Sequence, residues 1–177
     1  MKILRLSEVC DLRNGFAFKS SDYVEKSNTL NIRMSNIRPS GLFDLDYSPK
    51  YLPDNFYLKY IDFALKDGDI IIAMTDMAND PKILGVPTIV YTNGKNLLLN
   101  QRVGKLVLKD RSLVNINYLQ YALNRDVIKD YYKNFAGGGL QLNLGKKELL
   151  SVQIPLPSLS TQQQIARILD QADALRN

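Results

Sequence analysis

Ile154-Pro155-Leu156-Pro157-Ser158-Leu159-Ser160-Thr161-Gln162-Gln163-Gln164-Ile165-Ala166-Arg167-Ile168-Leu169-Asp170 decides how this chain is organised. A strand-like segment runs into two spaced prolines, which keep the preceding backbone extended. Ser160 is the predicted N-cap of the helix that follows, with Gln163 three residues on as its capping-box partner. Ile165, Ile168, Ala172 and Leu175 step by three, four and three, and Leu169 lies beside them. That spacing makes a narrow coiled-coil seam rather than a broad core-facing stripe. Two readings stand: a terminal helix docked on its own domain, or a helix that packs on a partner. No glycine or proline stops the pattern before Asn177, and two turns of seam are marginal alone. The partnered reading is preferred. It makes the protein one part of a larger assembly, and the seam residues should be the least satisfied apolar groups of a monomer.

Upstream, strands dominate. Ile3 to Leu6 reads as a short strand, and Asn14-Gly15 as a turn between Val9–Leu12 and Phe16–Phe18. Leu30 to Met34 is a further strand. Pro53 to Leu65 is predicted helical, with Phe56, Tyr57, Tyr60, Ile61 and Ala64 on one face. Ile70 to Met74 is apolar on both faces and should be a central buried strand. A polar loop from Thr75 to Lys82 follows. Val86 to Tyr91 is a strand, Thr92 to Lys95 a hairpin turn, and Leu97 to Leu108 one or two strands. Asn115 to Lys133 is helical with a break near Asn124, placing Leu119, Ala122, Leu123, Val127 and Ile128 inward. Leu140, Leu142 and Leu144 alternate with Gln141 and Asn143 as a half-buried strand. Lys146 to Leu150 is a short helix and Val152 to Ile154 a strand. The order predicts an α+β fold: a mixed, strongly twisted β-sheet with flanking helices over residues 1–157, then a helix over 158–177.

Composition narrows the chemistry. The 177 residues carry no histidine, one cysteine and three glutamates. Zinc sites and Ser-His or Cys-His nucleophilic machinery are therefore excluded. Gly145-Lys146-Lys147 is not a phosphate loop, and Gly137-Gly138-Gly139 is not a dinucleotide fingerprint. Asn79-Asp80-Pro81-Lys82 lacks the second proline and the aromatic of an amino-methyltransferase motif. No enzyme activity and no cofactor are expected. No apolar run approaches the roughly 18–20 residues of a membrane span. The N-terminus lacks a signal peptide, and single Cys10 suits a reducing compartment, so the expected location is the cytoplasm. Net charge is +5, which mildly favours a polyanion such as nucleic acid.

Four upstream stretches now join the C-terminal run. They are Leu6-Ser7-Glu8-Val9 through Phe18; Ile32-Arg33-Met34-Ser35-Asn36-Ile37 with Gly41; Gly68-Asp69-Ile70 through Gly85; and Leu99-Asn100-Gln101-Arg102-Val103. In this order they resemble the specificity subunit of type I restriction-modification systems. The similarity covers one target recognition domain and the start of a spacer helix. The resemblance implies a non-catalytic reader of double-stranded DNA. It also implies adenine methyltransferase subunits and a motor-nuclease subunit as partners. A full subunit carries two recognition domains and two long helices; this chain has one domain and a short helix. The helix seam is therefore expected to meet a second copy or a second recognition domain.

Base readout needs paired donors and acceptors: Arg for guanine, Asn or Gln for adenine. Phosphates take Lys, Arg and small polar groups. The candidates are Lys19 and Ser20; Arg33, Ser35, Asn36 and Arg38; Thr75 and Lys82; Gln101 and Arg102; Gln141 and Asn143; and Lys146. Structural alternatives stay open. Arg33 and Arg102 suit Asp67, Asp69 or Asp76 equally well. Gln141 and Asn143 suit the wet face of a strand, and the triple glycine suits either a hinge or a close approach to DNA. A competing reading is an assembly or competitor protein that dimerises without reading DNA.

Overall fold

Ile70-Ile71-Ile72-Ala73 is buried at every position, 1% exposed or less, because it has a layer on each side. Ile70 and Ile72 face a helical layer, while Ile71 and Ala73 face a second sheet. At roughly 1.5–3 kcal/mol per buried aliphatic side chain, this strand anchors both layers. A computed structural model describes residues 1–137 and 139–176. The first part runs β1 (Lys2–Arg5), α1 (Leu6–Val9), β2 (Cys10–Asn14), β3 (Thr29–Ile32), β4 (Tyr51–Leu52), α2 (Phe56–Lys59) and β5 (Ala64–Leu65). The middle runs β6 (Ile70–Ala73), β7 (Thr75–Met77), β8 (Pro87–Ile89), β9 (Asn96–Leu99) and β10 (Val103–Leu108). The last part runs α3 (Ile116–Leu123), α4 (Asp126–Phe135), β11 (Gln141–Asn143), α5 (Lys146–Ser151), β12 (Gln153–Leu156) and α6 (Leu159–Ala174).

The fold is α+β. Its strands divide among several sheets rather than one. An antiparallel sheet has the order β2-β10-β6-β8, and a mixed sheet the order β4-β3-β9-β5 with β3 and β9 parallel. Two-stranded sheets pair β1 with β12 and β7 with β11. Leu12, Ile72 and Leu106 pack on Leu119, Leu123, Ile128, Tyr132 and Leu149 of the helices. On the outer face of the mixed sheet, Leu52, Leu98 and Phe18 carry a shell of Phe16, Tyr23, Phe56, Tyr57 and Tyr60.

Several local expectations change. Asn14-Gly15 is not a hairpin turn: β2 pairs with β10, and Phe16 crosses to bridge Asn100 beside the other sheet. A Cβ on Gly15 would lie 2.2 Å from the carbonyl oxygens of Leu99 and Asn100, so the crossing needs glycine. The helix expected over 53–65 breaks into one α turn, α2, and a 3-10 turn at Ile61–Phe63. Tyr60 (φ −115°, ψ 35°) breaks it, and Ala64–Leu65 joins β9 as a strand. Tyr60 instead stacks 4.5 Å from Phe16 and 5.2 Å from Phe18. Here aromatic packing and sheet pairing outweigh a weak helical preference. The Thr92–Lys95 turn, with Asn93 at φ 50°, joins two different sheets. The break near Asn124 is present between α3 and α4, but Val127 is exposed rather than inward. Leu140 is also exposed, although Leu144 is buried. The N-cap of α6 is Ser158, not Ser160; its side chain accepts the Thr161 N–H at 3.3 Å.

Candidate nucleic-acid interface

One end of the two large sheets gathers much of the polar chemistry. The three residues Asn100 to Arg102 carry the chain from the end of β9 into the start of β10. Because β3 runs parallel to β9, Arg33 emerges at the same end; Ile32 accepts the Asn100 N–H at 2.9 Å. Because β2 and β6 run antiparallel to β10, Asn14 and Met74 end there too. Met74 donates to the Arg102 carbonyl at 3.0 Å and accepts the Leu144 N–H at 2.8 Å. The Gln101 N–H reaches the Phe16 carbonyl at 3.1 Å, which brings the segment leading to Lys19 and Ser20 alongside. Gln101, Arg102 and Asn143 are exposed here, and Gln141 is half-buried.

Arg33 has a divided role. One terminal nitrogen donates to the Ser48 carbonyl at 2.7 Å, while its buried Nε has no partner among the described residues. The Oγ of Ser35 is likewise buried and unpartnered. Buried donors without acceptors are costly, so this end holds hydrogen-bonding capacity that the domain does not use. The proposed pairings with Asp67, Asp69 and Asp76 do not form. Asp67 takes the Thr92 N–H, Asp69 pairs with Lys105 at 2.8 Å, and Asp76 accepts backbone N–H groups of Ile83 and Leu84.

Two expected contacts leave the set. Asn36 is 1% exposed; its amide accepts the Arg33 N–H and donates to the Asp44 carbonyl, closing a 3-10 turn. Thr75 is 3% exposed inside β7, and its hydroxyl donates to Asn143 Oδ1 at 3.2 Å. Thr75 to Lys82 is not wholly a loop, since β7 occupies its first three residues. Three further candidates lie apart. Arg38 stacks over the Tyr47 ring at 3.9 Å, on a turn docked by Gly41 against Thr88 and Gln120 of α3. Lys82 pairs with Asp80 at 3.0 Å, in a cleft shared with Asp126, Lys129, Asp130 and Lys133 of α4. Lys146 pairs with Asp11 at 3.0 Å, and its hydrogen bond holds that carboxyl below the usual range. The triple glycine lies partly outside the described residues, at Gly138.

Arg13 and Asn14 are exposed on β2 near this end and escaped the sequence reading. The alternation of buried Cys10 and Leu12 with exposed Asp11 and Arg13 was a usable signal. Reading Asn14-Gly15 as a hairpin turn hid it. Among the described residues, no three His, Cys, Asp or Glu side chains converge as metal ligands, and no helix is long and apolar enough to cross a membrane.

On α6, the docked face is Gln162 and Ala166, with Ile165 partly packed against Tyr118 and Ala122 of α3. Ile165 is therefore better satisfied than the seam reading expects. Ile168 (61%) and Leu175 (89%) are open to solvent, Leu169 is exposed, and Ala172 is half-buried. The helix is thus docked along one face and uncovered along the next.

Residues 1–177 match the family model of the type I restriction modification DNA specificity domain. The chain belongs to this DNA specificity domain family. It is 29% identical over 176 residues to the type I restriction enzyme MjaVIII specificity subunit of Methanocaldococcus jannaschii. That match covers 98% of this chain and 40% of the relative, so the chain spans about two-fifths of that curated protein. The fold resembles the type I restriction-modification S subunit from M. genitalium, with a TM-score of 0.69 at 17% identity, covering 98% of this chain and 39% of that one. It also resembles the HsdS subunit from Thermoanaerobacter tengcongensis, with a TM-score of 0.60 at 23% identity, covering 98% and 37%. The specificity-domain fold is therefore the one the resemblance implied.

Proposed function

We propose that this specificity-domain chain is a non-catalytic, sequence-specific DNA-recognition module of a type I restriction-modification complex. Residues 1–157 read double-stranded DNA, and 158–177 begin a spacer helix. Adenine methylation and restriction belong to partner subunits. One observation carries the reading. The segments that carry Arg33, Gln101, Arg102 and Asn143 meet at one end of the two large sheets, where Arg33 Nε and Ser35 Oγ are buried without partners among the described residues, and Gln141 lies two residues before Asn143 on β11. The exposed Gln101, Arg102 and Asn143 side chains supply the paired donors and acceptors that base edges require. Lys19, exposed on the segment that follows Phe16, adds a phosphate contact beside them. The exposed Ile168 and Leu175 face of α6 supports attachment to a second helix.

Selection from a random DNA library, with a methyltransferase subunit present, tests this. The complex should enrich a short defined sequence. Arg102→Ala should relax the preference at one position, at a cost of about 1–3 kcal/mol. Lys19→Gln should weaken binding to all sequences and lower the salt slope by about one. A methylation-competent complex that enriches no sequence refutes the proposal.

A further inference from the structure

We infer that Gln162 is a positioning residue that fixes the direction in which α6 leaves the recognition domain, and thereby the gap between two half-sites on DNA; this rests on the function proposed above. Gln162 is fully buried, 0% exposed, on an otherwise largely exposed helix. Its Oε1 accepts the Asn115 N–H at 2.9 Å, and its Nε2 donates to the carbonyls of Leu113 and Pro157, each at 2.9 Å. One side chain thus ties α6 to the segment entering α3 and to the proline linker that precedes α6 itself. Glutamine is rarely buried completely, because an unpaired amide costs more than an apolar group. One turn on, Ala166 joins Tyr118 and Ala122 in a buried apolar cluster between α6 and α3, so apolar packing already holds the two helices together. What glutamine adds is direction, since a fully satisfied buried polar network admits few arrangements.

A second clamp lies farther along the helix. The Tyr121 hydroxyl sits 2.8 Å from Asp170 Oδ1 and 3.0 Å from Asp173 Oδ2, and Asn117 Nδ2 lies 3.4 Å from Asp170. Eight to eleven residues separate this clamp from Gln162, about 12–16 Å of helix. A rod held at two points that far apart can neither tilt nor roll. The uncovered Ile168 and Leu175 face is therefore aimed by the domain, not by the linker. Whatever packs on that face inherits the aim.

The test pairs a geometric readout with a DNA readout. Nitroxide labels at Lys66→Cys and Gln171→Cys report the angle between domain and helix; both positions are exposed, and Cys10, 1% exposed, stays unlabelled. Gln162→Leu keeps the volume and removes the three hydrogen bonds. Tyr121→Phe removes the hydroxyl of the second clamp and keeps the ring of this half-buried residue. Each variant, bound to the methyltransferase subunit, is also offered DNA in which two half-sites are separated by variable gaps. Expected is a single narrow distance in the parent and a broadened one in Gln162→Leu. Discrimination between the preferred gap and its neighbours should fall about tenfold, with the bases selected at each half-site unchanged. Tyr121→Phe should move both readouts the same way by less, and decides the matter if Gln162→Leu does not fold. Unchanged distances overturn the lock. A broadened distance with an unchanged gap preference overturns its role in spacing. A parent complex that selects no sequence at all overturns the DNA reading, while the distances still report on the lock.

Discussion

Asp76→Ala should destabilise the domain by about 3 kcal/mol, most of it through one loop. Asp76 is 6% exposed and sits opposite Leu142 in the β7–β11 pair. Its Oδ2 accepts the Ile83 N–H and, at 2.9 Å, the Leu84 N–H, while Oδ1 takes the Met77 N–H at 2.8 Å. The carboxylate therefore pins the return of the loop that carries Lys82. Hydrogen bonds to a charged group are worth about 1.5–3 kcal/mol each, and an orphaned buried donor costs a similar amount. The Leu84 N–H is buried and loses the full amount, about 2 kcal/mol. Ile83 and Met77 are within reach of water, so about 0.5 kcal/mol each is a fair discount. For a domain of this size the total lowers Tm by about 6–12 °C. Asp76→Asn keeps one carbonyl acceptor and should cost about half as much. Urea unfolding followed by circular dichroism measures both, with an unchanged m-value licensing the comparison. A cost below about 0.5 kcal/mol for Asp76→Ala would show that the carboxylate does not organise the loop.

Gly15→Ala should be more damaging than its size suggests, by about 3 kcal/mol, because its Cβ meets backbone carbonyls that cannot give way; a soluble variant with an unchanged Tm would contradict the geometry. Cys10 is buried, and burial pushes its thiol up to about 12. A thiol reagent at pH 8 should leave it unlabelled until urea is added. The folded pKa lies above the unfolded value of about 8.5, so stability is unaffected below that pH and declines between there and 12. A urea midpoint that rises from pH 7 to pH 10 would reverse this sign. Ile168→Asp combined with Ala172→Asp should leave the monomer's unfolding free energy within about 0.5 kcal/mol, yet abolish self-association measured by sedimentation. Equal mass before and after, with an oligomer persisting, would clear this helix of the contact.

Periodicity carried far where one interaction dominated. The run Ile70 to Ala73 could only be a strand covered on both faces, and the break at Asn124 was visible in the pattern of α3 and α4. Polar residues were harder to assign. Arg33, Asn36 and Thr75 look alike as candidates in sequence, and Asp76 looks like a partner for an arginine. Burial separates them: Asn36, Thr75 and Asp76 spend their polar atoms on the domain, while Arg33 keeps one donor unspent. Asn14-Gly15 and Thr92–Lys95 were legible as changes of direction, but whether a turn closes a hairpin or passes between sheets depends on partners far away in the chain.

The sequence by itself determined the class of the protein. The absence of histidine, the single cysteine, the ordered stretches and the Pro-Leu-Pro entry to a Gln-rich helix are local facts that survive without coordinates. Only the tertiary structure decided which face of that helix is free. Gln162 reads as a solvent-facing residue because polar side chains on helices usually are. Three backbone atoms, from Leu113, Asn115 and Pro157, bury it instead. Hydrogen-bond partners brought together across the fold leave no mark on the spacing of apolar residues, so the joint was visible in sequence and its direction was not.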